Sequence, residues 1–144
     1  MTESPAAVPA GVTPADGIMS TQSPLSVEET VARLIEAIEA AGAKLFTVVN
    51  HSGEAQSVGL ALRDTKLIIF GSPVAGTPAM VASPLAAIDL PVKILVWRDD
   101  AGAVWMSCLD QAWLAARHSL SAEQAAPLAA PARLIAKISA AARG

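Results

Sequence analysis

Two histidines are the side chains of this sequence best suited to acid–base chemistry near neutral pH, and His51 is the stronger candidate. It directly follows a predicted strand, and α/β proteins often bind ligands at the carboxyl ends of strands. An enzyme could use His51 as acid or base, with Asp89 or Lys93 as its partner. The alternative is a histidine that caps a turn or bonds a loop carbonyl. His118 follows a predicted helix end, where the helix dipole favours a cation, so a structural role is preferred there.

The segment 71–78, Gly-Ser-Pro-Val-Ala-Gly-Thr-Pro, has glycines after a predicted strand and suggests an anion site at a helix start. It lacks the Gly-Lys-Ser/Thr ending of a P-loop. Pro73 and Pro78 also remove two N–H donors. We therefore prefer a tight strand-to-helix connection, with Thr77 as the N-cap of a helix and Pro78 in its first position. Thr77 remains a candidate ligand-binding residue.

Lys93 lies in an otherwise apolar predicted strand, where it could pair with Asp89 or with a ligand carboxylate. The alternative is an outward-facing lysine that protects an edge strand from aggregation. Cys108 has no basic neighbour in the sequence that would activate its thiol, so inert packing is preferred. No spacing resembles a zinc motif, and we predict neither a metal nor a cofactor. The ligand-binding candidates are His51, Thr77, Asp89 and Lys93, with no catalytic residue assigned.

Three tryptophans, Trp97, Trp105 and Trp113, lie on or near a predicted β-hairpin. Tryptophan is enriched in the cores of protein interfaces, although it also fills ordinary protein cores. Only 16% of the residues are charged, so much of the surface can be apolar, which favours self-association. We therefore take the three tryptophans as interface candidates in a homodimer.

The composition limits the classes of partner and compartment. A length of 144 residues fits one domain, and a net charge of -3 argues against a nucleic-acid partner. No apolar run is long enough to predict a transmembrane helix, and the N-terminus does not resemble a secretory signal. A single cysteine cannot form an internal disulfide. The cytoplasm is the default location, with no membrane partner expected.

The predicted elements form the order strand, helix, strand, strand, helix, strand, strand, helices. This order predicts an α/β protein of the α+β type, a single two-layer domain. Its mixed sheet of about five strands would include a C-terminal hairpin, with helices mainly on one face. Residues 1–15 are predicted to be a flexible tail because they are rich in proline and small residues. The domain would span residues 16–144, with C-terminal helices at 121–142.

Capping signals define two of the helices. Ser26 with Glu29 predicts a capping box, and Gly42 ends that helix. Ser121 with Gln124 predicts a second box. Residues 54–62 are ambiguous between a short helix and an irregular segment.

Long ordered motifs between Gly17 and His118 resemble the domain-of-unknown-function 302 family. They are Val-Gly-Leu-Ala-Leu-Arg-Asp-Thr at 58–65, Ile-Phe-Gly-Ser-Pro-Val-Ala-Gly-Thr-Pro at 69–78, Ile-Asp-Leu-Pro-Val-Lys-Ile-Leu-Val-Trp at 88–97 and Leu-Ala-Ala-Arg-His at 114–118. The resemblance implies a compact bacterial or archaeal α/β domain, often a homodimer, with no established reaction. His51 also sits where such proteins carry a histidine.

One departure from the family is clear after the last predicted strand. Members usually show a Tyr-Asn-Asp-Pro-like stretch, whereas this chain has Cys-Leu-Asp-Gln at 108–111 and keeps only Asp110. The function we prefer is a non-catalytic module that binds a small molecule or a partner and acts as a homodimer. The alternatives are an enzyme that uses His51 and a structural assembly protein.

Overall fold

The sheet is the centre of the fold in this computed structural model, which describes residues 8–141. Its strands are β1 (Ile18–Ser23), β2 (Lys44–Asn50), β3 (Thr65–Gly71), β4 (Val92–Arg98) and β5 (Val104–Leu109). They lie in the order β1-β5-β4-β3-β2, and every neighbouring pair is antiparallel. The predicted mixed sheet is therefore wrong in this detail. β1 and β2 do run in the same direction, as a strand–helix–strand unit suggests, but they occupy opposite edges and never pair.

Two long helices cover one face of this sheet. The helices are α1 (Val27–Ala40), α2 (His51–Ser57), α3 (Pro73–Ala82), α4 (Gln111–Arg117), α5 (Ala122–Ala125) and α6 (Ala130–Ala141), with short 3-10 segments at Pro84–Asp89 and Ala126–Ala129. α1 contacts β2, β3 and β4, and α6 contacts β1, β4, β5 and α1. The predicted α+β domain with its C-terminal hairpin is confirmed.

The core lies between these two helices and the sheet. Alternate strand residues point to one face, so Ile68, Ile94 and Val96 are fully buried beneath the helices. Leu34 and Ile38 of α1 and Leu134 of α6 meet them. Burial of each such side chain contributes about 1.5–3 kcal/mol relative to exposure. This apolar contact fixes which side of each helix faces the sheet.

The N-terminal segment packs on the β4–β5 hairpin. Pro9 is buried, and the Ala10 N–H donates to Asp99 Oδ2 at 2.9 Å. Part of the predicted flexible tail is therefore held by a carboxylate that its composition could not reveal. Residues 1–7 of that predicted tail lie outside the described residues.

Several predicted helix boundaries change. α3 begins at Pro73 with Ser72 as its N-cap, so Thr77 and Pro78 lie inside the helix instead of at its start. Both Ser-Pro and Thr-Pro carry the same start signal, and the structure uses the first. Of the ambiguous residues 54–62, the first four belong to α2, which ends at Ser57. The Asn50 side chain caps this helix by accepting the Gly53 N–H. At α1 one half of the predicted capping box forms, in which Ser26 Oγ accepts the Glu29 N–H. At α5 both halves form, between Ser121 and Gln124.

Candidate functional site

A mostly apolar recess lies where β3 ends and β4 begins. We call it the main cleft; its volume is about 640 Å³ and it is bounded by α3, α6 and the turn between α1 and β2. Its wall is mostly apolar, with Phe46, Phe70, Met80, Pro91, Leu128 and Leu134 among its residues. A recess of this size and lining is typical of sites that bind small apolar molecules.

The local sequence explains why the cleft stays open. β3 ends at Gly71, and Pro73 then begins α3 directly beside it. Small residues, Ala75 and Gly76, face the cleft from α3. A Cβ added at Gly76 would meet no heavy atom closer than Met80 Cε, at 4.0 Å. The helix therefore borders the recess without filling it.

Two cations lie at the edge of the cleft on α6. Arg133 and Lys137 are four residues apart, which places them on the same side of a helix, and both are exposed. No Asp or Glu of residues 8–141 lines the cleft. Within the same range, no carboxylate lies within 4.0 Å of either cation. The edge of the cleft on this helix is therefore positively charged.

A second polar group lies beside the cleft and is centred on Asp89. His118 Nε2 and Asp89 Oδ2 are 2.5 Å apart, and Arg117 Nε donates to the same oxygen at 3.0 Å. The His118 side chain is 6% exposed and that of Asp89 is 17% exposed. Lys93 Nζ donates to the Asp89 backbone carbonyl at 3.2 Å. Burial lowers the pKa of Lys93, and the Asp89 charge partly opposes that shift.

These contacts join the end of the 3-10 segment Pro84–Asp89 to β4 and to the end of α4. The sequence left Lys93 open between an edge-strand lysine and a partner of Asp89. The edge-strand prediction is wrong, because β4 lies between β5 and β3, and Lys93 contacts the backbone carbonyl of Asp89. The structure also adds His118, which is 29 residues from Asp89 and has no spacing signal. The space beside Asp89 and Lys93 is only about 10 Å³, so a ligand could not enter without movement of the surrounding residues.

The predicted candidates do not form one site. Thr77 lines the main cleft, and Asp89 and Lys93 lie beside it. His51 is exposed in the first turn of α2, at the other end of the sheet. Asn50, which precedes His51, pairs with Lys66 near the start of β3. Lys93 of β4 pairs with Ile69, which lies three residues farther along β3. A pocket that joins His51 to Lys93 is therefore absent from the described chain.

A shallow polar recess does lie near His51. Ser52, Gln56 and Lys66 line it, but Ser52 Oγ already bonds Asn50 and accepts the Thr65 N–H at 3.1 Å. The hydrogen-bonding capacity of Ser52 is therefore used within the fold. We therefore interpret this recess as the surface of the β2–α2 turn and not as a ligand site.

The interface candidates are divided by burial. Trp97 is 8% exposed and Trp105 is 3% exposed. Trp97 Nε1 donates to Ser107 Oγ at 2.9 Å, and Trp105 Nε1 donates to Asp99 Oδ2 at 2.8 Å. Both indoles therefore use their N–H groups inside the chain and offer little surface to a partner. Trp113 is half-buried, with the Arg117 guanidinium 5.3 Å from its ring centroid.

The remaining tests concern thiol, metal and membrane chemistry. Burial, and then the Asp110 charge, raises the pKa of Cys108 to about 11. Within residues 8–141, no three His, Cys, Asp or Glu side chains are grouped to hold a metal ion. None of the helices in that range has the length and apolar character needed to cross a bilayer.

Sequence reasoning missed most of the cleft. C-terminal helices were predicted at 121–142, but nothing indicated that the exposed side of α6 would border a recess. The available signal was that Arg133 and Lys137 are the only charged residues of Ala130–Ala141, with no acidic partner on that helix. Phe46 and Met80 gave no such signal, because their approach depends on the tertiary fold.

Comparison with known proteins gives a family and a fold. The sequence pattern of the family described as "Domain of unknown function DUF302" matches residues 19–141. A crystal structure of an uncharacterized conserved DUF302 protein from Bacillus stearothermophilus matches with a TM-score of 0.72 at 16% identity. The match covers 88% of this chain and 98% of that one. At this identity the likeness establishes the fold alone.

Curated relatives with higher identity are longer proteins. A protein named "Fluoride-specific ion channel FluC 1", from Brucella suis biovar 1 (strain 1330), is 42% identical over 104 residues. "Fluoride-specific ion channel FluC 2", from Brucella melitensis biotype 1, shows the same identity over the same length. The match covers 72% of this chain but 41% and 38% of those proteins. The chain therefore spans about two fifths of the length of the curated relatives it matches.

The family match extends beyond the motifs noted in the sequence, which ended at His118. It includes α6 and hence both walls of the main cleft. Since it spans residues 19–141 of 144, the chain belongs to the DUF302 family.

Proposed function

We propose that this chain is a non-catalytic binding module that takes up a small, largely apolar molecule in the main cleft. The observation that carries the proposal is an apolar recess of about 640 Å³ within one domain. Specific ligand pockets have volumes of roughly 300–1,000 Å³ and mostly apolar walls with a few polar groups. Thr77 and Ser72 supply hydroxyl groups at this wall. The polar group around Asp89 is occupied by its own ion pairs, which favours binding over catalysis.

A neutral fluorescent probe tests this proposal. N-phenyl-1-naphthylamine brightens in apolar surroundings, so titration should give saturable binding of one probe per chain. Gly76→Leu should weaken that binding at least tenfold, because the new side chain would occupy space that Gly76 leaves open. Val74→Leu is the matched control, since Val74 is in the same helix, outside the cleft lining and 86% exposed. Unsaturable binding, or equal binding by Gly76→Leu and wild type, would reject the proposal.

A second candidate function is association with a fluoride channel. It is favoured by the 42% identity to part of proteins that carry that name. Under this proposal, the domain would act on such a channel. Fluoride efflux from vesicles that contain the purified Brucella suis protein should then change when the chain is added. Unaltered efflux at a saturating amount of the chain would remove this candidate.

Self-association and a cytoplasmic location also remain parts of the proposal. Four apolar side chains of α3 and the next 3-10 segment, which we call the α3 patch, support a dimer. They are Val74, Val81, Leu85 and Ile88, and they are 73–86% exposed. Asp89 is the only charged residue of segment 73–89. Large exposed apolar patches mark interaction surfaces, and an uncharged one is compatible with a second copy of itself.

A further inference from the structure

We infer that the ligand of the main cleft is an amphiphilic anion: an apolar chain lies in the recess and its carboxylate meets Arg133 and Lys137. This inference rests on the proposed function and names the chemical class of the ligand. It also assigns a role to Arg133 and Lys137, which have no ion-pair partner within residues 8–141. The cleft supplies the contact for the tail, and α6 supplies the contact for the head.

The charge of the main cleft comes from α6. Among residues 8–141, Arg133 and Lys137 are the only charged residues that line it, and both are cations. Within residues 8–141, neither has a carboxylate within 4.0 Å. By contrast, Arg63 pairs with Asp100 and Arg117 pairs with Asp89. The cleft therefore presents uncompensated positive charge to its contents.

Arg133 and Lys137 lie on the same side of α6. Residues four apart on a helix lie one turn from each other on the same side. Arg133 and Lys137 can thus approach one head group together while Leu134 contacts the apolar part of the recess. A guanidinium presents paired N–H donors that match the two oxygens of a carboxylate, and an ammonium adds a second charge. A neutral or cationic amphiphile would find no such partner here.

The apolar wall of the cleft favours an amphiphilic anion over a simple inorganic anion. Phe46, Phe70 and Met80 offer no polar group to inorganic phosphate or chloride. Exposed ion pairs alone bind weakly, so a small anion would gain little at this edge. The tail therefore supplies most of the affinity, and the head supplies the selectivity.

Three compounds with one chain length test the inference: decanoate, decanol and decyltrimethylammonium. Displacement of N-phenyl-1-naphthylamine below the micelle-forming concentration gives each dissociation constant. Wild type should bind decanoate about tenfold tighter than decanol, as two partly exposed charge contacts allow. The decyltrimethylammonium ion should bind most weakly. The preference for decanoate should shrink at high salt because these contacts are exposed.

Variants at the helix edge isolate the charge. Arg133→Gln combined with Lys137→Gln should lower the decanoate-to-decanol preference to about one. Arg133→Glu combined with Lys137→Glu should reverse the preference. Arg33→Gln is the matched control, since Arg33 is exposed on α1 and outside the cleft lining, and it should keep the wild-type preference. All three positions of change, Arg33, Arg133 and Lys137, are exposed, and melting curves establish that each variant is folded.

The outcomes separate the inference from the proposed function. If decanol and decanoate bind equally to wild type, or if the preference survives the double substitution, the inference fails while the binding module stands. If none of the compounds displaces a probe that binds saturably, the inference fails and the binding module stands; if the probe itself does not bind saturably, both fail. A membrane is the other source of anionic lipid. Binding to vesicles of anionic phospholipid, with no preference for free decanoate over decanol, would also overturn the inference.

Discussion

Asp99 shows how one side chain holds the β4–β5 turn and the N-terminal segment in place. Its Oδ1 accepts the N–H groups of Ala101 and Ala103, each at 2.9 Å. Its Oδ2 accepts those of Ala10 and Trp105. These hydrogen bonds lower the pKa of Asp99, and the bond from Ala10 has the largest effect. Burial raises the pKa, but the hydrogen bonds outweigh it and the pKa falls to about 2. Ionised Asp99 is therefore part of the folded structure.

This carboxylate predicts acid sensitivity. Because the folded pKa of about 2 lies below the ordinary value of 3.8, ionised Asp99 stabilises the fold fully above pH 3.8. That contribution is lost as the pH falls through this interval. The urea midpoint of wild type, followed by tryptophan fluorescence, should therefore fall toward pH 2. Asp99→Asn should have a lower midpoint at neutral pH and a smaller further loss in acid.

The control for this prediction is Asp100→Asn. Asp100 pairs with Arg63 at 2.6 Å, but the two side chains are 55% and 40% exposed. Such a pair contributes about 0–1 kcal/mol, so this variant should stay close to wild type. Equal midpoints for Asp99→Asn and Asp100→Asn at neutral pH would contradict the role given to Asp99.

Cys108 supplies a second test at this scale. Its pKa of about 11 leaves little thiolate near neutral pH, and the side chain is buried between the sheet and α6. Native protein should therefore react with dithionitrobenzoate about a hundredfold more slowly than protein unfolded in urea. Comparable rates in the two states would show that the thiol is exposed and active.

Single residues were predicted from the sequence only where their neighbours lie nearby in the chain. Asp89 and Lys93, four residues apart, were considered as a pair, and Lys93 Nζ donates to the Asp89 backbone carbonyl. His118 reaches Asp89 across 29 residues, and no local pattern encodes that contact. Arg133 and Lys137 were visible as a charged pair, but their relation to a cleft depends on parts of the chain far from α6.

At the level of elements, caps were predicted better than helix starts that involve proline. Ser26 was correctly placed at the start of α1, since a serine side chain satisfies a free N–H there. α3 was misplaced because Ser72-Pro73 and Thr77-Pro78 carry the same signal. Starting at Pro73 leaves Pro78 within the helix, where it cannot donate to the Val74 carbonyl.

The cap of α1 can be tested directly. Ser26 Oγ accepts the Glu29 N–H at 3.1 Å, so Ser26→Ala should lower the free energy of unfolding by about 1 kcal/mol. Urea denaturation measures that difference. Ser57→Ala is the control, because Ser57 lies in the last turn of α2 and donates only to the Glu54 carbonyl. A loss at Ser57 as large as that at Ser26 would contradict the capping argument.

At the scale of the whole molecule, the sequence predicted the strands but not their order. Their apolar patterns are local, whereas Ser20 of β1 pairs with Ser107 of β5, 87 residues away. The main cleft has the same origin, since it needs the α1–β2 turn, the end of β3 and α6 to meet. Fold class follows from element order, but the site follows from these distant contacts.

The α3 patch gives a prediction about assembly. If this patch holds two copies together, Leu85→Glu should place a charge in the contact and shift the protein from dimer to monomer. Leu85 is 77% exposed, so the variant should fold normally. Light scattering coupled to size exclusion measures the mass. Val58→Glu is the control, because Val58 is 71% exposed and outside the patch.

A wild-type mass of one chain, or a dimer that survives Leu85→Glu, would contradict the assigned patch. In the first case the exposed apolar surface would need another partner. In the second case the contact would lie elsewhere on the domain.

The most direct test of the main cleft as the binding site is an amide NMR titration with N-phenyl-1-naphthylamine. The account predicts saturable shifts grouped at Gly71, Gly76 and Leu134, with the amides of α2 unaffected. Gly76→Leu should abolish the shifts at Gly71 and Leu134. Shifts centred on His51 and α2, or spread without saturation over the α3 patch, would contradict the claim that this cleft binds the ligand.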